Sequence, residues 1–251
     1  MTDRDDALAR LAGATPLLVG CDFDGTLAPI VDVPDDARPD PAALAALSRL
    51  AVLPVTDVAI VSGRARAALA RLTGLAGTPI RLIGSHGAEF DGEPALTDEG
   101  ARRLTRLEEE LRALAADFDG AIVESKPTGV AFHYRRVPER LREAAARAAR
   151  EGPGRRPAVL MREGHMVVEL LVSRADKGRA LDRLRGETGA EATLFVGDDR
   201  TDEDAFSRLG PDDLGVKVGP GETAAALRIE GQEEVAPFLE RLYELRRNLD
   251  G

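Results

Sequence analysis

The sequence predicts an α/β fold, a doubly wound parallel sheet carrying an inserted α+β domain. Three observations predict it. Five short runs rich in Val, Ile and Leu recur along the chain, several ending in Gly or an acid, as strands buried on both faces of a parallel sheet do. Helical patterns separate these runs, so each strand feeds a crossover. The middle of the chain departs from that alternation and reads helix, hairpin, helix, hairpin.

The first strand is expected at 16–23 (PLLVGCDF). DPAALAALSRL then opens a helix, with Asp40 as N-cap and Pro41 at the first helical position. The cap carboxylate accepts from an otherwise orphaned N–H, and Pro lacks the N–H that would go unpaired there. Strands follow at 58–63 (VAIVSG) and 80–87 (IRLIGSHG). A long helix over 97–118 starts the insert. Two hairpins come next, AIVESKPTGVAFHYRR about KPTG and PAVLMREGHMVVELLVS about REGH, with an Ala/Arg-rich helix between them. GPGRRP (152–157) reads as a loop. Then come a helix in DKGRALDRLRGETG capped by Asp176, a strand at 193–199 (TLFVGDD), and a helix in TDEDAFSRLG. Thr201 and Asp204 have the spacing of a capping box there. A strand at 214–219 (LGVKVG) and a helix in EEVAPFLERLYELRRN close the chain. The expected division is a core of 1–96 and 174–251 around an insert of 97–173.

Composition narrows the function classes. A net charge of −10 disfavours nucleic acid and anionic membrane surfaces, but leaves room for an anionic small molecule in a local basic pocket. No apolar run reaches the roughly 18 residues of a membrane span. The start, MTDRDDALAR, lacks a basic-then-apolar signal segment, so a cytoplasmic protein is expected. Cys21 is the only cysteine, which excludes an internal disulfide, and its apolar setting suggests packing. Of 34 basic residues only Lys126, Lys177 and Lys217 are lysines. A chain that otherwise uses Arg would keep Lys where a compact ammonium on a flexible stem matters.

Chemistry concentrates at strand ends, where open α/β sheets bind ligands. In LLVGCDFDGTLAPI, Asp22 and Asp24 are one residue apart, and in an extended chain both would face one side. Such a pair needs a proton, a cation or a reaction to compensate it. VSGR offers the Ser62 hydroxyl, DKG offers Lys177, and GDDRTDED holds five acids among residues 198–204. Each has a structural explanation alone: an Asp-Gly turn, a turn serine, a solvated lysine, a helix cap. Asp198 and Asp199, on the strand side, escape it. Together the groups fit Mg²⁺ held by Asp22, Asp198 and a carbonyl near Asp24. A phosphate would rest on Ser62, Lys177 and N–H groups of the Gly25 turn. One Asp would attack phosphorus and the other would move the proton.

DFDGTL, VSGR, DKG and GDDRTDED, in this order, resemble the four motifs of haloacid-dehalogenase-superfamily phosphatases, whose insertion is a cap domain. CDFDGTLAPI, GSHGAEF, ESKPTGVAFHYR and GDDRTDEDAF resemble the trehalose-6-phosphate phosphatases in particular, with a C2-type cap. The resemblance covers nearly all of the chain except the start and the C-terminal helix. It implies Asp22 as nucleophile, Asp24 as general acid/base, and Ser62 and Lys177 on the phosphoryl group. Gly25, Thr26, Gly63 and Arg64 would bind substrate beside them. Mg²⁺ would be held by Asp22, Asp24 and Asp198, with Asp199 and Asp202 as further ligands or supports. In the cap, Glu124 and Lys126 would meet the sugar; His86, Glu89, His133, Arg135, His165 and Glu169 are weaker candidates, the last two because they share one hairpin of the insert. The implied partner is a small sugar phosphate, with no nucleic acid or membrane, a monomeric state, and functional pairing with a trehalose-phosphate synthase. A capped phosphatase for a sucrose, mannosyl-glycerate or hexose phosphate keeps the same chemistry. A phospho-acceptor or binding protein is the other alternative. Asp24 beside the nucleophile, and the cap, argue against that one.

Overall fold

The computed structural model describes residues 3–248. They form two compact units, 3–91 with 175–248, and Gly92–Arg174. The first unit opens with α1 (Asp3–Gly13), β1 (Leu17–Cys21), α2 (Pro41–Leu50), β2 (Thr56–Val61), α3 (Arg66–Thr73) and β3 (Arg81–Ile83). The second unit holds α4 (Asp98–Ala116), β4 (Ile122–Lys126), β5 (Gly129–His133), α5 (Glu139–Glu151), β6 (Leu160–Gly164) and β7 (Val167–Leu171). The first unit resumes with α6 (Lys177–Thr188), β8 (Ala192–Gly197), α7 (Glu203–Phe206), β9 (Leu214–Val218), β10 (Leu227–Ile229) and α8 (Val235–Arg247).

In the first unit all six strands are parallel, in the order β10-β9-β8-β1-β2-β3. Successive connections run one way from β1 to β3 and the other way from β8 to β10. The order therefore reverses between β1 and β8, and the crevice beyond their carboxyl ends is where such sheets bind ligands. β1 is buried on both faces. Leu17, Val19 and Cys21 join the core with residues of α1, α2 and α8, while Leu18 packs with Leu181, Leu184 and Phe195. Burial pushes the Cys21 thiol well above its ordinary pKa, with the charges of Asp22 and Asp202 adding to it, so this cysteine packs and does not react. At Gly20 a Cβ would fall 2.8 Å from the Phe195 ring. The missing side chain lets the layer that carries α6 sit close to β1.

Asp40 caps α2 through the Ala42 N–H (2.7 Å) and Asp176 caps α6 through the Arg179 N–H (2.8 Å), as the sequence predicts. Other expectations need correction. The third strand stops at Ile83 instead of 87, because Ser85 and His86 take left-handed backbone angles (φ 49° and 56°) and form a turn. The capping box at Thr201 does not form: its hydroxyl donates to Asp199, and α7 shrinks to one turn. A short β10 also joins the sheet edge, unannounced by its three residues.

The buried Arg246 of α8 donates to four oxygens: Thr56 Oγ1 (2.7 Å), Ala12 O (2.8 Å), Ala14 O (2.6 Å) and Val55 O (2.8 Å). It ties α8 to the end of α1 and the start of β2. Arg246→Met fills the space but strips the Ala12 and Ala14 carbonyls of this donor, while Val55 O keeps the Leu17 N–H (2.9 Å). At about 1–3 kcal/mol per unsatisfied group, the expected loss is roughly 2 kcal/mol or more. Urea denaturation checks it as a lowered midpoint at unchanged slope.

The second unit is an antiparallel sheet, β4-β5-β7-β6. One face carries Val130, Phe132, Val168 and Leu170 against Leu107 and Leu111 of α4 and Ala145, Ala146 and Ala149 of α5. By register, Glu124, Lys126, Ala131, His133 and Glu169 share the other face.

Candidate active site

β1 ends at Cys21, so Asp22 and Asp24 lie just past the strand. The Asp22 N–H still bonds Val196 O of β8 (2.8 Å), holding that end between β1 and β8. Phe23 O then accepts from the N–H groups of both Leu27 and Ala28, and the chain reverses through Gly25 (φ 77°). A Cβ at Gly25 would fall 2.0 Å from Asp198 Oδ2. Glycine is thus required twice, by the backbone angle and by the carboxylate against it. The Gly25 N–H bonds Ala28 O (2.7 Å), so it closes the turn.

Each member of the acid pair has its own cation. Lys177, the first residue of α6 and 2% exposed, places Nζ 2.8 Å from Asp22 Oδ1 and 2.7 Å from Asp202 Oδ1, with Asp199 Oδ1 at 3.9 Å. Asp24 instead forms a two-point pair with Arg64, Nε to Oδ2 at 2.7 Å and Nη2 to Oδ1 at 2.6 Å.

Asp202 organises the loop after β8. Its Oδ2 accepts from the N–H groups of Asp198 and Asp199, both at 2.9 Å, while Oδ1 takes Lys177. Gly197 allows this approach, since a Cβ there would fall 2.3 Å from Asp202 Cγ. Asp198 accepts from the Thr26 hydroxyl (3.3 Å), and the buried Lys217 of β9 donates to its carbonyl. Asp199 is turned to Thr201, whose N–H and hydroxyl both donate to it at 2.8 Å.

Asp22, Asp198 and Asp202 therefore converge, each offering an oxygen within 4.8 Å of the others. The cluster carries surplus negative charge. Burial, then the neighbouring Asp202 and Asp199, raises Asp198 to about pKa 6. Burial likewise raises Asp22 and Asp202, against the pull of Lys177. Burial would lower Lys177, yet the three carboxylates around it hold it above its ordinary value. A hard divalent cation, which takes oxygen ligands, fits this donor set and would relieve the surplus. The Asp199 carboxylate is not in the converging group and is engaged with Thr201, while the Asp24 carboxylate is engaged with Arg64.

Ser62 follows β2, 1% exposed. Its N–H bonds Ile83 O (3.0 Å), its carbonyl accepts from His86 (2.8 Å), and its hydroxyl accepts from the Arg64 N–H (3.2 Å). Gly63 makes room for the His86 ring, which a Cβ would meet at 2.5 Å. Glu89 accepts from Ser85 Oγ (2.7 Å) and the Arg66 N–H (3.0 Å), an architectural role that its sequence position did not disclose. Lys217 is the residue that sequence reasoning left out of the site. Its signal was a charge inside a buried strand, in a chain of three lysines.

In the second unit, Lys126 pairs with Glu169 (2.6 Å) and Glu124 with His133 (2.8 Å), all on the sheet face opposite the helices and partly exposed. His165 lies in the turn between β6 and β7, with Nδ1 3.4 Å from Arg135 Nη2.

Comparison with known proteins gives the chemistry a family setting. The model of the trehalose-phosphatase family matches residues 21–233. The trehalose-phosphate phosphatase of Mycobacterium marinum is 38% identical over 267 residues, which cover 96% of this chain and 66% of the relative. The chain thus spans about two thirds of the length of such relatives. The Aspergillus fumigatus trehalose-6-phosphate phosphatase structure superposes with a TM-score of 0.73 at 27% identity, covering 97% of this chain and 98% of that one. A trehalose-6-phosphate phosphatase related protein gives 0.70 at 29%, covering 92% and 99%. The architecture is that of a capped haloacid-dehalogenase-type phosphatase.

Proposed function

The chain belongs to the trehalose-phosphatase family, and from that premise we propose that it hydrolyses trehalose 6-phosphate to trehalose and phosphate. One observation supports this most: a buried aspartate at the switch point of the sheet, held by a buried lysine within a cluster of three convergent carboxylates. Asp22 attacks phosphorus and forms an aspartyl phosphate as the sugar oxygen departs. Asp24 gives that oxygen its proton and takes one back from the water that cleaves the intermediate. Lys177 and Ser62 hold the phosphoryl oxygens. Mg²⁺ would be held by Asp22 and Asp198, with Asp202 behind them, and supplies the positive charge that lets a phosphate dianion approach two carboxylates.

We assign the sugar to the second unit. The acids and lysines of the first unit recognise phosphate and carry nothing specific for a disaccharide. Glu124, Lys126 and Glu169 share one sheet face and offer acceptors and a donor for hydroxyls. The contacts they make at rest, Lys126 with Glu169 and Glu124 with His133, are partly exposed, hence weak and open to exchange.

Phosphate release across a panel of trehalose 6-phosphate, sucrose 6-phosphate, glucose 6-phosphate and p-nitrophenyl phosphate tests the reading. Trehalose 6-phosphate is expected to give the highest kcat/KM. EDTA is expected to abolish all activity, and Mg²⁺ to restore it better than Ca²⁺, whose larger and looser shell misplaces the attacking oxygen. Preference for another sugar phosphate would reassign the substrate. Full activity after chelation would remove the metal.

A further inference from the structure

We propose that Arg64 is a positioning residue for Asp24 and not a substrate-binding residue, an inference that rests on the phosphatase reading above. Three of its five N–H groups are already engaged: two on the Asp24 carboxylate and Nη1 on Pro34 O at 2.6 Å. Its guanidinium also lies over the Phe23 ring, 5.2 Å from the centroid. The side chain is only 12% exposed. Its backbone is fixed as well, through the N–H to Ser62 Oγ and the carbonyl from the Ser85 N–H (2.8 Å). All of these side-chain partners belong to the loop after β1. Binding a phosphate would require Arg64 to abandon them.

What the contact achieves is orientation. Two parallel N–H···O bonds define the plane as well as the position of a carboxylate, which a lysine cannot do. Asp24 keeps 38% of its side chain exposed, so the carboxyl remains reachable while its direction is set. Proton transfer depends steeply on that direction.

The test exploits the leaving group. A sugar oxygen departs badly without a proton, whereas p-nitrophenolate departs without one. Since kcat/KM reports steps only through departure, it isolates Asp24 as acid. Arg64→Met is expected to lower kcat/KM on the order of 10- to 100-fold for trehalose 6-phosphate, and less than about 3-fold for p-nitrophenyl phosphate. Arg64→Lys should recover part of the loss. In an Asp24→Asn background, Arg64→Met should cost less than about 2-fold more, because the two act as one unit. Equal losses on both substrates would overturn the proposal, as would a loss carried entirely by KM, or effects that multiply in the double variant. If the wild type ignores trehalose 6-phosphate, the substrate reading fails alone. Glucose 6-phosphate, another sugar leaving group, then serves the same comparison for Arg64.

Discussion

Replacing Asp22 by Asn is expected to leave less than about one hundredth of wild-type turnover, because an amide cannot form the acyl phosphate. The fold should survive. The two side chains are nearly isosteric, and the amide oxygen can still accept from Lys177, now 2.8 Å from the carboxylate. The substitution also removes one charge from a cluster that holds too many. The midpoint of thermal unfolding in EDTA is therefore expected to hold or rise, not fall. Activity and melting measured on one deamidation-free sample decide the matter. Several per cent of residual turnover would remove Asp22 as nucleophile, and a lower melting temperature would make it a structural residue.

Lys177→Met should fail differently. Lys177 is 2% exposed and is the direct cation of both Asp22 and Asp202. Methionine matches the stem but leaves two buried carboxylates without compensation. Removing one partner of a buried pair costs about 3–5 kcal/mol, which is a large part of a domain's stability. Catalysis should vanish too, since the phosphoryl group loses its ammonium. Mg²⁺ should restore part of the stability and none of the turnover. A cation that binds the folded acids stabilises by linkage, and it has more charge to relieve in the variant than in the wild type. Urea unfolding with and without Mg²⁺ measures both. An unchanged midpoint in EDTA would show that Lys177 does not compensate these acids.

Much of the fold was legible because its signals are local. The apolar runs of the parallel strands, Asp40 before Pro41, and Asp176 before α6 each state their role within a few residues. The four groups with chemistry were legible because they stand at strand or helix ends. What stayed hidden depends on residues far apart in sequence. Nothing near Arg64 says that its side chain reaches back to a loop forty positions earlier, so its motif placed it on substrate. The capping box at Thr201 was well spaced, but Asp199 offered the hydroxyl a nearer acceptor, while Asp202 was drawn inward by Lys177 and two backbone N–H groups. Lys217 stands out in the sequence only as one of three lysines; its place beside Asp198 depends on the pairing of β9 with β8. His86 ended a strand early through a backbone angle that few non-glycine residues adopt.

The reversal of strand order at β1 has a consequence for the nascent chain. The ribosome delivers β1, β2 and β3 first and β8 only after the whole second unit, so more than half the polypeptide separates Asp22 from Lys177. Until α6 and β8 emerge, β1 has no neighbour on one side, and the acid at its end has no lysine. The interval leaves an apolar strand with an unpaired edge, the kind that pairs with other chains. The second unit has all its strands contiguous in sequence and can complete its own sheet during that wait. The first unit is thus the last to receive all its strands, and any product cut short within the second unit leaves β1 without β8 for good.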